Sequence, residues 1–210
     1  SPYPFYDRVR AAGAFAVWQD YELPVSARAV VVGAALRDRR LGREVPPEHA
    51  PEIPPHLAPF YAVEAHSMLE LEPPRHTRLR RLVLRAFTSA RIAALGPEIE
   101  QLAEALIARF PEQGGDLLAH FARPLPVILI ARLLGVPEER ADDLLNWSNA
   151  MVGMYQARRT RESEAAAVAA TEAFVDFLGR YVEERRRRPG NDLITELIAA
   201  AQKTRPKARK

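Results

Sequence analysis

Residues 69–87 constrain the fold most, because they combine a helix start with an unusual distribution of cations. The segment opens at Pro73 and Pro74, and a proline suits the first helical turn because its missing N–H has no partner there. Apolar residues then recur at helical spacing and predict a core stripe: Leu79, Leu82, Val83, Ala86 and Phe87. At about 100° per residue, His76 and Arg80 fall in one narrow sector with Val83. Another set of cations lies on the opposite side of the helix: Arg78, Arg81 and Arg85.

The inward direction predicted for His76 and Arg80 requires an anion beside them. Burying an unpaired guanidinium is too costly, so either a protein carboxylate or an acidic ligand should lie next to Arg80. In the simpler interpretation, His76 only ends a capping arrangement and Arg80 pairs with a nearby glutamate. The outer arginines are explained by a solvated surface. The spacing alone leaves both interpretations of the inner pair open.

The segment HSMLELEPPRHTRLRRLV, residues 66–83, continued by AFT at 86–88, closely resembles the loop and third long helix of bacterial cytochrome P-450 monooxygenases. The resemblance implies that His76 and Arg80 hydrogen-bond the propionates of a haem. Propionates are anions of the kind that an inward His/Arg pair requires, and an arginine can grip one with two hydrogen bonds. The resemblance also places three residues against the porphyrin or its edge: Met68, Leu69 and Phe87.

Two further segments resemble the same family: LLGVPEERADDLLNWSNAMVG at 133–153 and RRRRPGNDLITELIAA at 185–200. The resemblance implies a mainly α-helical, cytochrome P-450-like fragment with a small N-terminal β element. In the family a proline-rich loop borders the substrate pocket and a Trp-bearing helix leads into its roof. This implies six pocket residues: Phe60, Tyr61, Val63, His66, Trp147 and Met151. Taken singly, each loop residue is better explained as an anchor that pins a proline-rich loop to the body.

Short-range patterns predict the remaining secondary structure. The predicted elements are a helix at 1–13 capped by Ser1, strands at 14–19 and 23–25, helices at 27–36 (capped by Ser26), 90–110, 116–134, 136–152 and 165–188, and a last helix capped by Asn191 or Asp192 and ending near Gln202. Prolines forbid regular structure at 46–59, and Pro97 predicts a break in its helix. The apolar helix at 116–134 should be central and buried, and 153–161 should be a mobile link. The helix dipole alone explains the arginines at 185–188.

Composition places the chain among ordinary globular proteins. Of 210 residues, 48% are hydrophobic and 27% are charged. No apolar run could cross a bilayer and no signal peptide is evident, which favours a cytoplasmic protein. A net charge of +3 with dispersed arginines argues against nucleic-acid binding. We assign residues 1–202 to the N-terminal part of a cytochrome P-450 domain and 203–210 to a basic, disordered tail.

The absence of cysteine matters more than any other feature of the composition. The chain cannot supply the thiolate that holds the haem iron in this family. Its five histidines show no metal-ligand spacing, and no other group of residues forms a recognisable catalytic arrangement. We therefore predict no catalytic and no metal-binding residue here. The resemblance covers only the front half of the family's sequence, so we expect a truncated chain that is inactive alone.

The resemblance implies that the complete protein is a haem-dependent monooxygenase, which inserts one oxygen atom from dioxygen into a small organic substrate. A ferredoxin or flavoprotein would supply the electrons. Arg78, Arg81 and Arg85 are placed to attract an acidic donor, although a solvated face explains them equally well. The alternative function is a non-catalytic helical module that self-associates, or binds a partner, through surface that the missing half would cover.

Overall fold

The computed structural model describes residues 1–156 and 158–204. Their backbone divides into two compact units, Ser1–His49 and a larger unit that begins at Ala50. Most of the described residues are helical, and their β structure amounts to two short strands near the N-terminus. The predicted class, mainly α with a small N-terminal β element, is therefore confirmed.

The first unit contains two helices and a small antiparallel sheet. Its elements are α1 (Tyr3–Ala12), β1 (Ala16–Trp18), β2 (Leu23–Val25) and α2 (Ala29–Ala35). The strands pair with Ala16 opposite Val25. The predicted caps at Ser1 and Ser26 are wrong, because neither helix has a side-chain cap. Pro2 precedes α1 and preorganises its start, and the Ser26 hydroxyl accepts only the Arg28 N–H, at 3.3 Å.

The second unit consists of helices joined by short turns. In its described part the α-helices are α3 (Ala58–Glu64), α4 (Arg75–Ala86), α5 (Ser89–Ala108), α6 (Pro124–Leu134), α7 (Ala141–Val152), α8 (Arg161–Arg187) and α9 (Leu193–Thr204). The last helix includes Lys203 and Thr204, which we had assigned to the disordered tail. Residues 205–210 of that tail lie outside the described residues.

Prolines mislead the sequence prediction at two places in this unit. The proline-rich segment contains 3₁₀ turns at Pro47–His49 and Pro55–Leu57 and leads into α3, which carries Pro59 in its first turn. A first-turn proline loses no helical hydrogen bond, so α3 tolerates it. The predicted break at Pro97 is also wrong, because α5 continues through this residue.

The apolar segment at 116–134 is neither one helix nor fully buried. A π-helical turn at Leu118–Ala122 precedes α6, which starts afresh at Pro124. Only Ala131 is fully buried among the residues of α6, and Ile130 is 53% exposed. The apolar face of α6 lines a cavity, described below, and this explains the apolar sequence without full burial.

Residues 153–156 and 158–161, which belong to the segment predicted as a mobile link, are attached to the core. A 3₁₀ turn at Gly153–Tyr155 buries Met154, and the Arg159 guanidinium donates to the Met154 carbonyl at 2.8 Å. The long helix α8 then begins four residues before the predicted start. A capping box explains this, because Thr160 and Ser163 exchange side-chain and backbone hydrogen bonds.

Two clusters of buried side chains hold the second unit together. One joins α6, α7, α8 and α9 and contains Ala131, Val136, Ala141, Tyr181 and Ile194. The other joins α3, the turn after α7, and α8, and contains Leu57, Phe60, Met154 and Ala167. The second cluster therefore fixes α3 against the start of α8.

A buried ion pair fixes the junction of α8 and α9. Arg185 Nε lies 2.8 Å from Asp192 Oδ2, and its guanidinium also donates to the Gly135 carbonyl at 2.9 Å and lies over the Tyr181 ring. Asp192 caps α9 by accepting the Thr195 N–H at 2.8 Å. The helix dipole is thus an insufficient explanation of Arg185, which points toward the interior. The predicted cap at Asp192 is confirmed.

Candidate functional site

Helix α4 carries the two cations predicted to meet an anionic ligand. It follows a cis peptide bond between Pro73 and Pro74, and the Glu72 carbonyl accepts the His76 N–H at 3.0 Å. His76 is half-buried, whereas Arg80, one turn later, is exposed. The expected burial of Arg80 is therefore wrong within this chain, because no described element covers its side chain.

Neither inner cation is neutralised by the rest of the chain. Within residues 1–156 and 158–204, no side-chain hydrogen bond or ion pair involves His76 or Arg80. This argues against the simpler interpretation, in which a neighbouring glutamate pairs with Arg80. An imidazole and a guanidinium one helical turn apart, with no carboxylate from the described residues beside them, can donate hydrogen bonds to two propionate groups.

The other residues predicted to contact haem lie near α4 at its two ends. Met68 and Leu69 are 37% and 70% exposed, and Phe87 is half-buried directly after the helix. Of these, Leu69 also lines the cavity described below. Exposed apolar side chains next to α4 could cover the face of a large flat ligand, and their contact with haem stays a prediction.

The outer face of α4 is basic and exposed. Arg78, Arg81 and Arg85 line a shallow groove together with Pro73 and Leu82. None of the three arginines has an ion pair with another described residue. The prediction of a solvent-facing set of cations opposite the His76 side is consistent with this arrangement, while its role in electron transfer stays a prediction.

An apolar cavity of about 400 Å³ lies between α3, α6, α7 and α8. Its lining residues are Phe60, Glu64, Leu69, Val127, Ile130, Leu134, Leu144, Leu145, Ser148, Met151, Val152, Tyr155 and Phe174. Phe60 and Met151 were among the six residues predicted for a substrate pocket. A cavity of this size and composition is typical of small-molecule sites.

The other four predicted pocket residues do not line this cavity. Tyr61 and Val63 are half-buried elsewhere on α3, and His66 is exposed after that helix ends. Trp147 on α7 is half-buried, and its ring packs against Phe174 of α8 at 6.2 Å between centroids. Trp147 therefore joins α7 to α8 by aromatic packing.

Sequence reasoning missed the polar residues of the cavity, Glu64, Ser148 and Tyr155. Glu64 follows Phe60 by four positions and Ser148 precedes Met151 by three, so helical spacing from these two cavity-lining residues would have identified both. The Tyr155 hydroxyl donates to the Glu64 carboxylate at 2.5 Å, which links the turn after α7 to α3. This contact spans 91 positions of the sequence and no local pattern predicts it.

A second polar contact joins the same two regions. His56 Nε2 lies 2.9 Å from a carboxylate oxygen of Glu164, near the start of α8. Arg159 and Arg161 approach the same carboxylate at 3.6 and 3.8 Å. The hydrogen bond with His56 and these positive charges hold the pKa of Glu164 below its usual value.

Metal and membrane sites are absent from the part of the chain that the structure describes. No three His, Asp or Glu side chains there converge as metal ligands. Of the described helices, none combines the length and the apolar character that a membrane span requires.

Comparison with proteins of known sequence finds relatives that are named as oxygenases. No family model matches the chain. It is 38% identical over 173 residues to nocardicin C N-oxygenase from Nocardia uniformis subsp. tsuyamanensis, which covers 80% of this chain and 41% of the relative. It is 32% identical over 214 residues to cytochrome P-450 monooxygenase PikC from Streptomyces venezuelae, covering 94% and 46%. The chain thus spans less than half the length of these relatives.

Comparison with solved structures gives the same result for the backbone. The structure of P-450BioI, in complex with a fatty-acid-ligated acyl carrier protein, matches with a TM-score of 0.86 at 25% identity. This match covers 95% of this chain and 52% of that protein. The enzyme CxnD, which forms C–S bonds in chuangxinmycin biosynthesis, matches with a TM-score of 0.77 at 31% identity, covering 97% and 50%.

Proposed function

We propose that the complete protein is a haem-dependent monooxygenase. The premise is that this chain belongs to the cytochrome P-450 family and corresponds to its N-terminal half. In this proposal the chain supplies the helix that holds the haem propionates and one wall of the substrate site. The complete protein would hydroxylate a small organic molecule.

The observation that carries the proposal is the pair His76 and Arg80 on α4. The two side chains lie one turn apart, and the described residues provide no carboxylate for either. A guanidinium beside a carboxylate forms a short, charge-assisted hydrogen bond, which would fix the edge of the porphyrin against α4. Met68, Leu69 and Phe87 would add apolar contact with the ring.

The chain itself would not perform the oxidation. When bound, haem with a thiolate ligand supplies the activation of dioxygen, and this chain has no cysteine to provide that ligand. Its own residues would orient the cofactor through α4 and hold the substrate in the apolar cavity. Phe60 and Met151 would contact the substrate there.

Electron supply belongs to the same proposal. A monooxygenase of this family needs a ferredoxin or flavoprotein, and such donors present acidic surfaces to a cationic acceptor. Arg78, Arg81 and Arg85 would form the docking face, because they lie on the side of α4 opposite His76 and are exposed.

Haem titration of the 210-residue chain, followed by absorption spectroscopy, tests the proposal. We expect stoichiometric binding, with affinity about tenfold weaker in Arg80→Ala because one charge-assisted contact is lost. Arg81→Ala is the matched control, since it removes the same side chain from the opposite face of α4. Flat absorbance, or equal effects of the two substitutions, would contradict the propionate assignment.

A second candidate function is a non-catalytic helical module, and exposed apolar side chains favour it. Leu84, Ile130 and Val152 are 56%, 53% and 56% exposed, and an apolar groove of about 700 Å³ runs between α8 and α9. Apolar surface of this kind is typical of contact with another chain. Sedimentation of the chain at roughly 1 to 100 μM, a range in which weak dimers dissociate, tests it. A monomer at every concentration would argue against self-association.

A further inference from the structure

The cavity between α3 and α7 is lined mainly by apolar side chains and by one acidic residue. Ten of its thirteen lining residues are apolar, and the polar ones are Glu64, Ser148 and Tyr155. Glu64 is the acidic residue among them, and no Lys, Arg or His from residues 1–156 and 158–204 lines the cavity. An organic ligand therefore meets an apolar surface with one negative group.

The Glu64 carboxylate has no cationic partner in residues 1–156 and 158–204. Its side-chain contact there is the Tyr155 hydroxyl, at 2.5 Å, and Glu64 itself is half-buried. Of the arginines that follow Tyr155 in the chain, Arg159 and Arg161 approach Glu164 instead. A carboxylate accepts more than one hydrogen bond, so a second donor can approach Glu64 from the cavity side.

We infer that this cavity selects organic cations, in which a protonated amine lies against Glu64 and an apolar body fills the space between α6 and α7. The inference rests on the proposed function for its reaction, but the selectivity for cations depends on Glu64 alone. The attraction between an ammonium and a carboxylate strengthens where apolar walls reduce the dielectric constant. A fatty acid would meet repulsion at the same place, and a neutral alcohol would gain only an ordinary hydrogen bond.

The contact between Tyr155 and Glu64 fixes where the cation lies. The hydroxyl donates to one oxygen of the carboxylate and joins the turn after α7 to α3, so the position of the carboxylate in the cavity wall is fixed. Ser148 on α7 adds a neutral polar group to the lining. The polar end of the ligand should therefore lie at Glu64 and its apolar end toward α6.

Three ligands have chains of equal length but polar groups of different charge: octylamine, octanol and octanoate. Comparing their affinities therefore isolates the effect of charge from that of apolar contact. Calorimetric titration of the 210-residue chain at pH 7 should show octylamine binding about tenfold more tightly than octanol, and octanoate binding least. In Glu64→Gln, octylamine affinity should fall to the level of octanol, while octanol affinity stays unchanged. Unchanged octanol binding shows that the substitution leaves the cavity intact.

Two further variants complete the design. Glu162→Gln removes an exposed carboxylate outside the cavity and should keep the tenfold preference. Tyr155→Phe removes the hydroxyl but leaves the charge of Glu64, so it should also retain a preference for the amine. Equal affinity for octylamine and octanol in the wild-type chain, a preference that survives in Glu64→Gln, or no binding of any ligand would overturn the inference.

The result of the ligand series can be distinguished from the result of haem titration, which tests the proposed function. Haem titration reports on α4, whereas the ligand series reports on Glu64, and the two sites share only Leu69. Haem binding without amine preference overturns the cation inference alone. Amine preference without haem binding overturns the haem proposal alone. An amine preference present in this chain but lost in the complete protein would identify the C-terminal half as the occupant of the cavity, which also counts against the inference.

Discussion

Two arginines of this chain, Arg185 and Arg80, meet opposite surroundings on the same helical scaffold. Arg185 has a side chain that is 20% exposed and lies 2.8 Å from Asp192, whose side chain is 5% exposed. Arg80 is exposed and has no acidic partner among the described residues. The chain therefore neutralises the buried Arg185 with its own carboxylate, whereas the anion proposed for Arg80 would have to come from outside the described residues. An arginine with an internal structural role is buried beside its carboxylate, and Arg80 does not share that arrangement.

The largest expected effect is the loss of stability when the buried ion pair between Arg185 and Asp192 is broken. Asp192→Ala should destabilise the chain by about 3 kcal/mol or more, because it leaves Arg185 buried without its anion and removes the cap of α9. Urea denaturation followed by circular dichroism measures the change. Asp176→Ala is the control, since Asp176 pairs with Arg180 at the surface, where an ion pair is worth about 0–1 kcal/mol. Equal losses for the two variants would remove the contrast between Arg185 and Arg80.

The next largest effect on stability is expected at Gly135, where the backbone lies close to the Asp192 side chain. Gly135 has φ of +76°, and a Cβ there would lie 2.6 Å from the Asp192 side chain. Gly135→Ala should therefore cost about 2 kcal/mol, through backbone strain and displacement of the carboxylate. Gly179→Ala, inside α8 with nothing within 4 Å of the new Cβ, should instead stabilise by about 0.5–1 kcal/mol. Thermal unfolding measures both, and the same sign for both would contradict this view of Gly135.

Charge reversal on the outer face of α4 tests whether that face meets a protein partner. In the intact enzyme, Arg81→Glu should slow reduction by the electron donor about tenfold at low salt, because it repels an acidic surface. Arg187→Glu on α8 makes the same change of charge away from α4 and serves as the control. Unchanged stopped-flow reduction of the Arg81 variant would leave these arginines as an ordinary solvated face.

The smallest effect concerns the ion pair between His56 and Glu164. The pKa of Glu164 is lower in the folded protein than its usual value near 4.5, mainly through the hydrogen bond with His56. Its contribution to stability is therefore complete above about 4.5 and is lost as the pH falls through the lowered folded pKa. Urea midpoints measured from pH 7 down to about 3 should converge between wild type and Glu164→Gln. Glu162→Gln should follow the wild type, and parallel curves for wild type and Glu164→Gln would contradict the assignment.

Local pattern predicted most helices but few of the contacts that make the site. The spacing of apolar residues and prolines places α4 correctly, because its start and its stripe are both local signals. The same reasoning failed at Pro97, where α5 continues, and at Pro59, which lies in a first helical turn. A proline signals a break only when the hydrogen bond that it removes cannot be spared, and the sequence does not report that.

The candidate site was predictable to the extent that it depends on α4. His76 and Arg80 were found from residue type and helical sector, although the exposure of Arg80 depends on what covers α4. The cavity was predicted at Phe60 and Met151 only, because its walls come from helices far apart in the sequence. Glu64 and Tyr155, which give the cavity its charge and its edge, meet across 91 positions. Such a contact follows from tertiary packing and not from any repeat in the chain.

Two long-range contacts also bear on the order in which the chain folds. Glu64 meets Tyr155, and His56 meets Glu164, across 91 and 108 positions, whereas the capping box at Thr160 forms within a single turn. Closing long loops slows a folding reaction more than forming local turns does. We expect helix α8 to form early and the contact between Glu64 and Tyr155 in the cavity wall to form late, so that ligand capture would report the final stage of folding.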